Sequence, residues 1–193
     1  MSFAHPDFLW AFALVLGALA FIPRRFRLVA LLAASWGFYL SAPRWHFAVL
    51  VGSTALDYVI GCLLARTRGA SARRALLFAS VAGNIGLLVL SKATGWLALG
   101  LSFYTFQSLS YSIDVYRRRI EACRDPVAFA LFVAYFPQIL AGPIERARHL
   151  LPQIVALGSA DAVLFRRSDL ERGVALVLWG SLKKRCLLSL IHI

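Results

Sequence analysis

Acidic side chains are scarce in this chain: nine Asp and Glu among 193 residues, against 21 Lys and Arg. Charged residues of both signs make up 16%, too few to coat a soluble domain of this size. The three cysteines, Cys62, Cys123 and Cys186, show neither paired nor metal-type spacing, and an odd number builds no disulfide framework. There is no phosphate-cradling or dinucleotide glycine motif, no metal-type His/Cys spacing and no Ser/His/Asp order. Met1 to Asp7 has no basic stretch, and no small-residue cleavage site follows the first apolar run. The first segment is therefore expected to remain as a membrane helix.

What the chain has in abundance is apolar surface: 60% hydrophobic residues and a mean hydropathy of +0.72. A bilayer core of about 30 Å needs roughly 20 apolar residues per helix, so the length allows about six or seven spans. Apolar segments fall near Phe3 to Ile22, Leu28 to Ser41, Trp45 to Ala65, Ala75 to Leu90, Trp96 to Val115, Val127 to Ile144 and Val174 to Leu182. A soluble helical bundle would need polar stripes at the 3.6-residue period, which Phe8 to Ile22 and Phe47 to Ala65 lack. The expected fold is all-α, a polytopic transmembrane helical bundle forming a single domain.

The net charge of +12 is dispersed among the loops and forms no continuous stripe, so nucleic acid is not an expected partner. Successive loops carry Arg24, Arg25 and Arg27, then Arg44, then Arg66, Arg68, Arg73 and Arg74, then Lys92, then Arg117, Arg118, Arg119 and Arg124. This alternation of rich and poor loops is the positive-inside pattern for odd-numbered helices ending in the cytoplasm, with the N-terminus outside. Trp10, Trp36, Trp45 and Trp96 lie mostly near segment ends, as an interfacial aromatic belt places them.

Polar residues at membrane depth carry the functional signal, because lipid tolerates them only when they are sheltered. Asp57 sits mid-segment and should face the protein interior, either as a site residue or as a helix-to-helix hydrogen bond near Tyr58. Gln107, Ser110 and Asp114 share one helical face, which fits either the wall of a buried chamber or a packed polar seam. Pro137, Gly142 and Pro143 interrupt the apolar run after Val127, so the segment should break or re-enter near Phe136–Glu145. His149, just after Arg146 and Arg148, reads as a headgroup neighbour more readily than as a catalyst.

Two long motifs, SFYTFQSLSYSIDVYR over Ser102 to Arg117 and FPQILAGPIER over Phe136 to Arg146, resemble the membrane-bound O-acyltransferase family, most closely its bacterial alginate O-acetyltransferase branch. Shorter matches run outward in order: Leu56, Asp57 and Tyr58 to Gly61, Leu150 to Gln153, Asp169 to Gly173, Trp179 with Gly180, and Lys183 with Lys184. The stretch from Lys92 to Leu101 is shorter than the equivalent region of many relatives.

The resemblance implies a helical enzyme of the bacterial inner membrane with a tunnel through its core. Such an enzyme passes an acyl group, here expected to be acetyl, from a cytoplasmic thioester towards a cell-surface polysaccharide such as alginate. The donor would be acetyl-CoA or an acyl-carrier protein, with no bound cofactor or metal, and the partner a periplasmic acyltransferase. Gln107, Tyr111, Asp114 and Gln138 are the expected tunnel-wall residues, with Asp57, Arg146 and Arg148 as weaker candidates. The family's catalytic histidine belongs to a helical region downstream of Lys183 and Lys184, so no residue of this chain is expected to be catalytic and the chain alone is expected to be inactive.

After the lysine pair the likeness ends, and Leu188 to Ile193 resembles the translation of a sequencing-library adapter. Residues 1–187 are therefore expected to form an incomplete membrane domain, with 188–193 foreign to it. Two other functions fit parts of the pattern. One is a D-alanyl transferase of the same family acting towards teichoic acid. The other is a small-molecule or ion transporter built on broken helices, although the sequence shows only one broken segment instead of a matched pair.

Overall fold

The computed structural model describes residues 6–40, 43–96, 100–141, 145–159 and 167–183. All regular structure among these residues is helical. The helices are α1 (Pro6–Phe21), α2 (Arg27–Leu40), α3 (Arg44–Arg66), α4 (Ala70–Ala93), α5 (Leu101–Tyr116), α6 (Pro126–Ala134), α7 (Phe136–Ala141), α8 (Ala147–Leu157) and α9 (Arg167–Leu182). Residues 184–193, and with them the proposed adapter segment, lie outside the described residues.

Two of these helices, α3 with 23 residues and α4 with 24, are long and apolar enough to cross a membrane. At 1.5 Å per residue, the 16 residues of α1 and α5 and the 14 of α2 rise only about 24 and 21 Å. Helix α8 has no counterpart among the expected segments. Its buried residues, Ala147, Leu151 and Ile154, share one face, and Arg148, His149 and Gln153 interrupt the apolar run.

Helix α5 forms the centre, packed against α3, α4, α6 and α8, while α2 lies across α6. The buried stripe of α3 runs Leu50, Thr54, Asp57, Gly61 and Leu64, a spacing of four and three that keeps one face on α5. Gly61 permits the closest approach: a Cβ there would lie 2.5 Å from the Tyr111 hydroxyl and 2.6 Å from its ring. The Tyr111 ring, fully buried, continues into Phe129 of α6 at a centroid distance of 4.6 Å.

One arginine ties the helix ends together. Arg73, in the first turn of α4 and 8% exposed, donates to Leu64 O and Thr67 O at the end of α3 and to Val115 O and Tyr116 O at the end of α5. A cation at two helix C-termini is favoured by their partial negative charge, and its donors reach carbonyls of the last turns. The basic loops after α3 and α5 therefore gather at one end of the bundle. At the opposite end, the first turn of α3 and the residues after α4 bring Trp45 and Trp96 to 6.1 Å. Trp36 departs from the expected belt. It is half-buried and packs edge-on against Phe47 at 5.4 Å, joining α2 to α3.

Gly61→Ala should lower stability by about 1–3 kcal/mol, the usual range for overpacking a filled contact. Thermal unfolding of the detergent-solubilised protein reads this directly, and an unchanged midpoint would contradict the Gly61–Tyr111 contact.

Candidate functional site

The broken segment is built as the sequence leads one to expect, with one shift. Asp125 caps α6, its Oδ1 accepting from Val127 N at 2.8 Å, and Pro126 occupies the first turn, where a missing N–H does no harm. The helix ends at Ala134, and Tyr135 turns extended (φ −60°, ψ 102°). The break therefore precedes the expected Phe136–Glu145 stretch by one residue. Pro137 is the reason: it has no N–H for Val133 O, and its ring crowds that carbonyl, so α6 cannot continue through it. Helix α7 restarts at Phe136, with Pro137 tolerated in its first turn. Gly142 and Pro143 lie outside the described residues.

In an unbroken helix Phe136 N would donate to Phe132 O, and the break separates these two groups. Each is met by a side chain from a different helix. Gln107 of α5 donates through Nε2 to Phe132 O at 2.6 Å, and Ser35 of α2 accepts from Phe136 N at a longer 3.5 Å. The same Gln107 amide reaches Gln138 Oε1 at 3.4 Å. Both glutamines are buried.

Beyond the break the chain turns back. Helix α8 begins beside the loop that leads into α6, with Ala147, Arg148 and Leu151 facing Ile120, Cys123 and Arg124 across a cleft of about 480 Å³. Helices α6 to α8 thus enter and return at the basic end of the bundle.

A second polar cluster joins α3, α4 and α5. The Asp57 carboxylate, fully buried, accepts from Ser80 Oγ at 2.8 Å and from Asn84 Nδ2 at 2.9 Å on each oxygen. Ser80 also lies 3.0 Å from Ser112 Oγ. Asn84 Oδ1 is buried without a partner, as are Tyr104 Oη, Thr105 Oγ1 and, on α2, Tyr39 Oη. Tyr104, Ser108 and Ser112 follow one another at four-residue spacing on α5, and the last two face the Asp57 cluster. Tyr58 is not part of this cluster; its hydroxyl donates to Arg124 O at 2.9 Å.

The four residues expected to line a tunnel divide into two groups. Gln107 and Gln138 meet at the break. Tyr111 and Asp114 sit nearer the basic end and hold the loop after α5: Tyr111 Oη accepts from Cys123 N at 3.0 Å, and Asp114 pairs with Arg119 at 3.8 Å. Arg146 immediately precedes α8 and Arg148 lies in its first turn, both exposed. Burial pushes the Cys123 thiol above its ordinary range, which suits a packing residue and not a nucleophile.

Sequence reasoning passed over Ser35, Arg73, Ser80 and Asn84. For α4 the signal was present. Arg73, Ser80, Asn84 and Ser91 recur at spacings of seven, four and seven, one face of a helix, and all four are buried. His149 is exposed on α8, and no group of three or more His, Cys, Asp or Glu side chains able to hold a metal occurs among the described residues.

Membrane-length apolar helices, a returning broken segment and buried polar clusters together define an integral membrane protein with a polar interior. Similarity to known proteins narrows the class. The chain is 37% identical over 165 residues to the probable alginate O-acetylase AlgI of Pseudomonas fluorescens, covering 79% of this chain and 33% of that protein. It is 33% identical over 178 residues to the protein of the same name from Pseudomonas aeruginosa, covering 79% and 34%. A peptidoglycan O-acetyltransferase of Helicobacter pylori is 27% identical over 166 residues, covering 64% and 32%. No family model and no solved structure matches. Over most of its length the chain is a homologue of proteins named as alginate O-acetylases, which are members of the membrane-bound O-acyltransferase family. It spans about a third of the length of the curated relatives it matches.

Gln107→Leu should leave Phe132 O buried without a donor and lower stability by about 1–3 kcal/mol, whereas Gln107→Glu, protonated, keeps one donor and should cost less. Asp57→Leu should be worse than Asp57→Asn, because it strands the Ser80 and Asn84 donors together. Folded yield by fluorescence-detected size exclusion checks both orders; equal yields within either pair would contradict these contacts.

Proposed function

We propose that this chain forms part of an O-acyltransferase of the bacterial inner membrane that passes an acetyl group from a cytoplasmic thioester, acetyl-CoA or an acyl-carrier protein, towards a cell-surface polysaccharide such as alginate. The observation that carries this reading is the coincidence of motif and geometry. The two motifs that mark the family, on α5 and around α7, are the two that Gln107 and Gln138 bring together at the break. The relatives named for alginate and peptidoglycan O-acetylation support a polysaccharide acceptor.

Within such an enzyme the described residues build the frame of the reaction path. Gln107 and Ser35 hold non-helical backbone at depth, and irregular backbone is tolerated there only when it is packed in protein or lines a cavity. Tyr104 of α5 adds a buried hydroxyl without a partner. A water-poor passage of this kind protects a thioester from hydrolysis while the acyl group moves. The acid–base chemistry is assigned to a histidine outside this chain, and the onward transfer of the acyl group to the acceptor to a periplasmic acyltransferase partner.

The gathering of Arg66, Arg68, Arg73, Arg118, Arg119 and Arg124 around one pocket supports a cytoplasmic placement of that end. The N-terminus is then periplasmic, with six or seven membrane segments in the part of the protein seen here.

Deleting the complete gene that contains this chain should remove acetyl esters from the host's surface polysaccharide, read by proton NMR. Restoring it with Gln107→Leu should recover the esters only in part, at matched membrane levels. Unchanged acetyl esters after deletion would overturn the assignment, and loss of D-alanyl esters instead would transfer it to teichoic acid. Reporter fusions after Arg68 and Arg118 should both read as cytoplasmic; a periplasmic phosphatase signal at either would invert the topology.

A further inference from the structure

One face of α3 carries an unbroken change of chemistry. Val51, Ala55, Tyr58, Cys62 and Arg66 follow at spacings of four, three, four and four, so they lie on a single stripe along the helix. The half of this stripe nearer the middle of α3 lines an apolar groove of about 310 Å³ between α2, α3 and α6, closed by Leu32, Trp36 and Val127. The other half, Cys62 and Arg66, lines the pocket of about 830 Å³ at the basic end, with Arg68, Arg118 and Arg124 around it. Tyr58, which lines the groove, hydrogen-bonds to the O of Arg124, which lines the pocket.

The basic pocket is short of negative charge. Glu121 is its one acidic lining residue, and the ion pair at its edge uses Arg119 alone, with Asp114. Arg73 directs its donors to helix carbonyls. The guanidinium groups of Arg66, Arg68, Arg118 and Arg124 therefore have no carboxylate among the described residues. The backbone adds to the positive potential: α4 starts at the pocket with Gly69 as its N-cap, no side-chain cap and no acid in its first turn. Arg118 is held in the left-handed region, φ 55°, within a helix-ending turn in which Arg118 N bonds Val115 O and Arg119 N bonds Asp114 O. Glycine would adopt that conformation more easily.

We propose that this groove and pocket together bind one anionic glycerophospholipid. An acyl chain lies along Val51, Ala55 and Tyr58, and the phosphate lies among Arg66, Arg68 and Arg124. Neither half alone indicates a lipid, but an apolar slot next to an arginine pocket along one helix face, near a helix end, matches both ends of that molecule. The site lies outside the Gln107–Gln138 break, so it stands whether or not the acyl-transfer reading does.

Native mass spectrometry of the full chain in mild detergent, with phosphatidylglycerol and phosphatidylcholine of identical acyl chains, tests this. Phosphatidylglycerol should be retained at least about tenfold better, and Arg66→Gln with Arg124→Gln should reduce that preference by about tenfold. Ala55→Phe, at an exposed position of α3, should fill the groove and weaken lipid retention without changing phosphate binding. Equal retention of the two lipids overturns the proposal. So does glycerol 3-phosphate displacing phosphatidylglycerol at similar concentration, which would make this a site for soluble phosphate esters. Retention that survives both the paired arginine substitution and Ala55→Phe in folded protein overturns it as well.

Discussion

The placing of α6 against α2 and α5 follows from the two backbone groups that the break at Tyr135 releases. A peptide N–H or C=O left without a partner in an apolar surrounding costs several kcal/mol, comparable with much of the stability of a domain. Pro137 makes the break unavoidable, so neighbouring helices must supply a donor for Phe132 O and an acceptor for Phe136 N. Gln107 and Ser35 do so from opposite sides. The position of α6 is thereby tied to both α2 and α5, and Gln138 at the start of α7 is drawn to the same amide.

The Asp57 cluster works on the other flank of α5 by the same rule. A carboxylate facing lipid would be untenable, but one held by Ser80 and Asn84 joins α3 to α4, and Ser112 extends the link to α5. Buried polar groups of this kind fix register as well as proximity, because sliding any of these helices by one residue strands several groups together. Arg73 repeats the device at the helix ends with carbonyls in place of a carboxylate. Three polar ties and the Gly61–Tyr111 contact therefore hold a bundle whose apolar surfaces, in a bilayer, gain little from meeting one another.

Such a scaffold suits chemistry that must exclude water yet move a polar group. Its interior contains hydroxyls and amides but few charges, and its charge is concentrated at one end. Under the proposed acyl-transfer function that arrangement has a purpose: the basic end would face the compartment of the activated donor, and the broken segment the path inward.

Much of this was legible in the chain itself. The helix boundaries of α2 and α3, the broken segment, the sheltering of Asp57 and the gathering of arginines all follow from local chemistry: apolar runs, a proline without an N–H, and a carboxylate that lipid rejects. Even the cap of α6 is written in Asp125 and Pro126. The identity of the partners was not. Nothing near Gln107 in sequence points to Phe132 O, 25 residues away, nothing near Ser35 to Phe136, 101 residues on, and Tyr111 and Asp114 share a motif with Gln107 yet serve a different loop. Local sequence decides which groups need a partner, because that need is a property of the residue and its solvent. Only the tertiary packing decides who answers it, because that depends on which helices the whole chain brings within three ångströms.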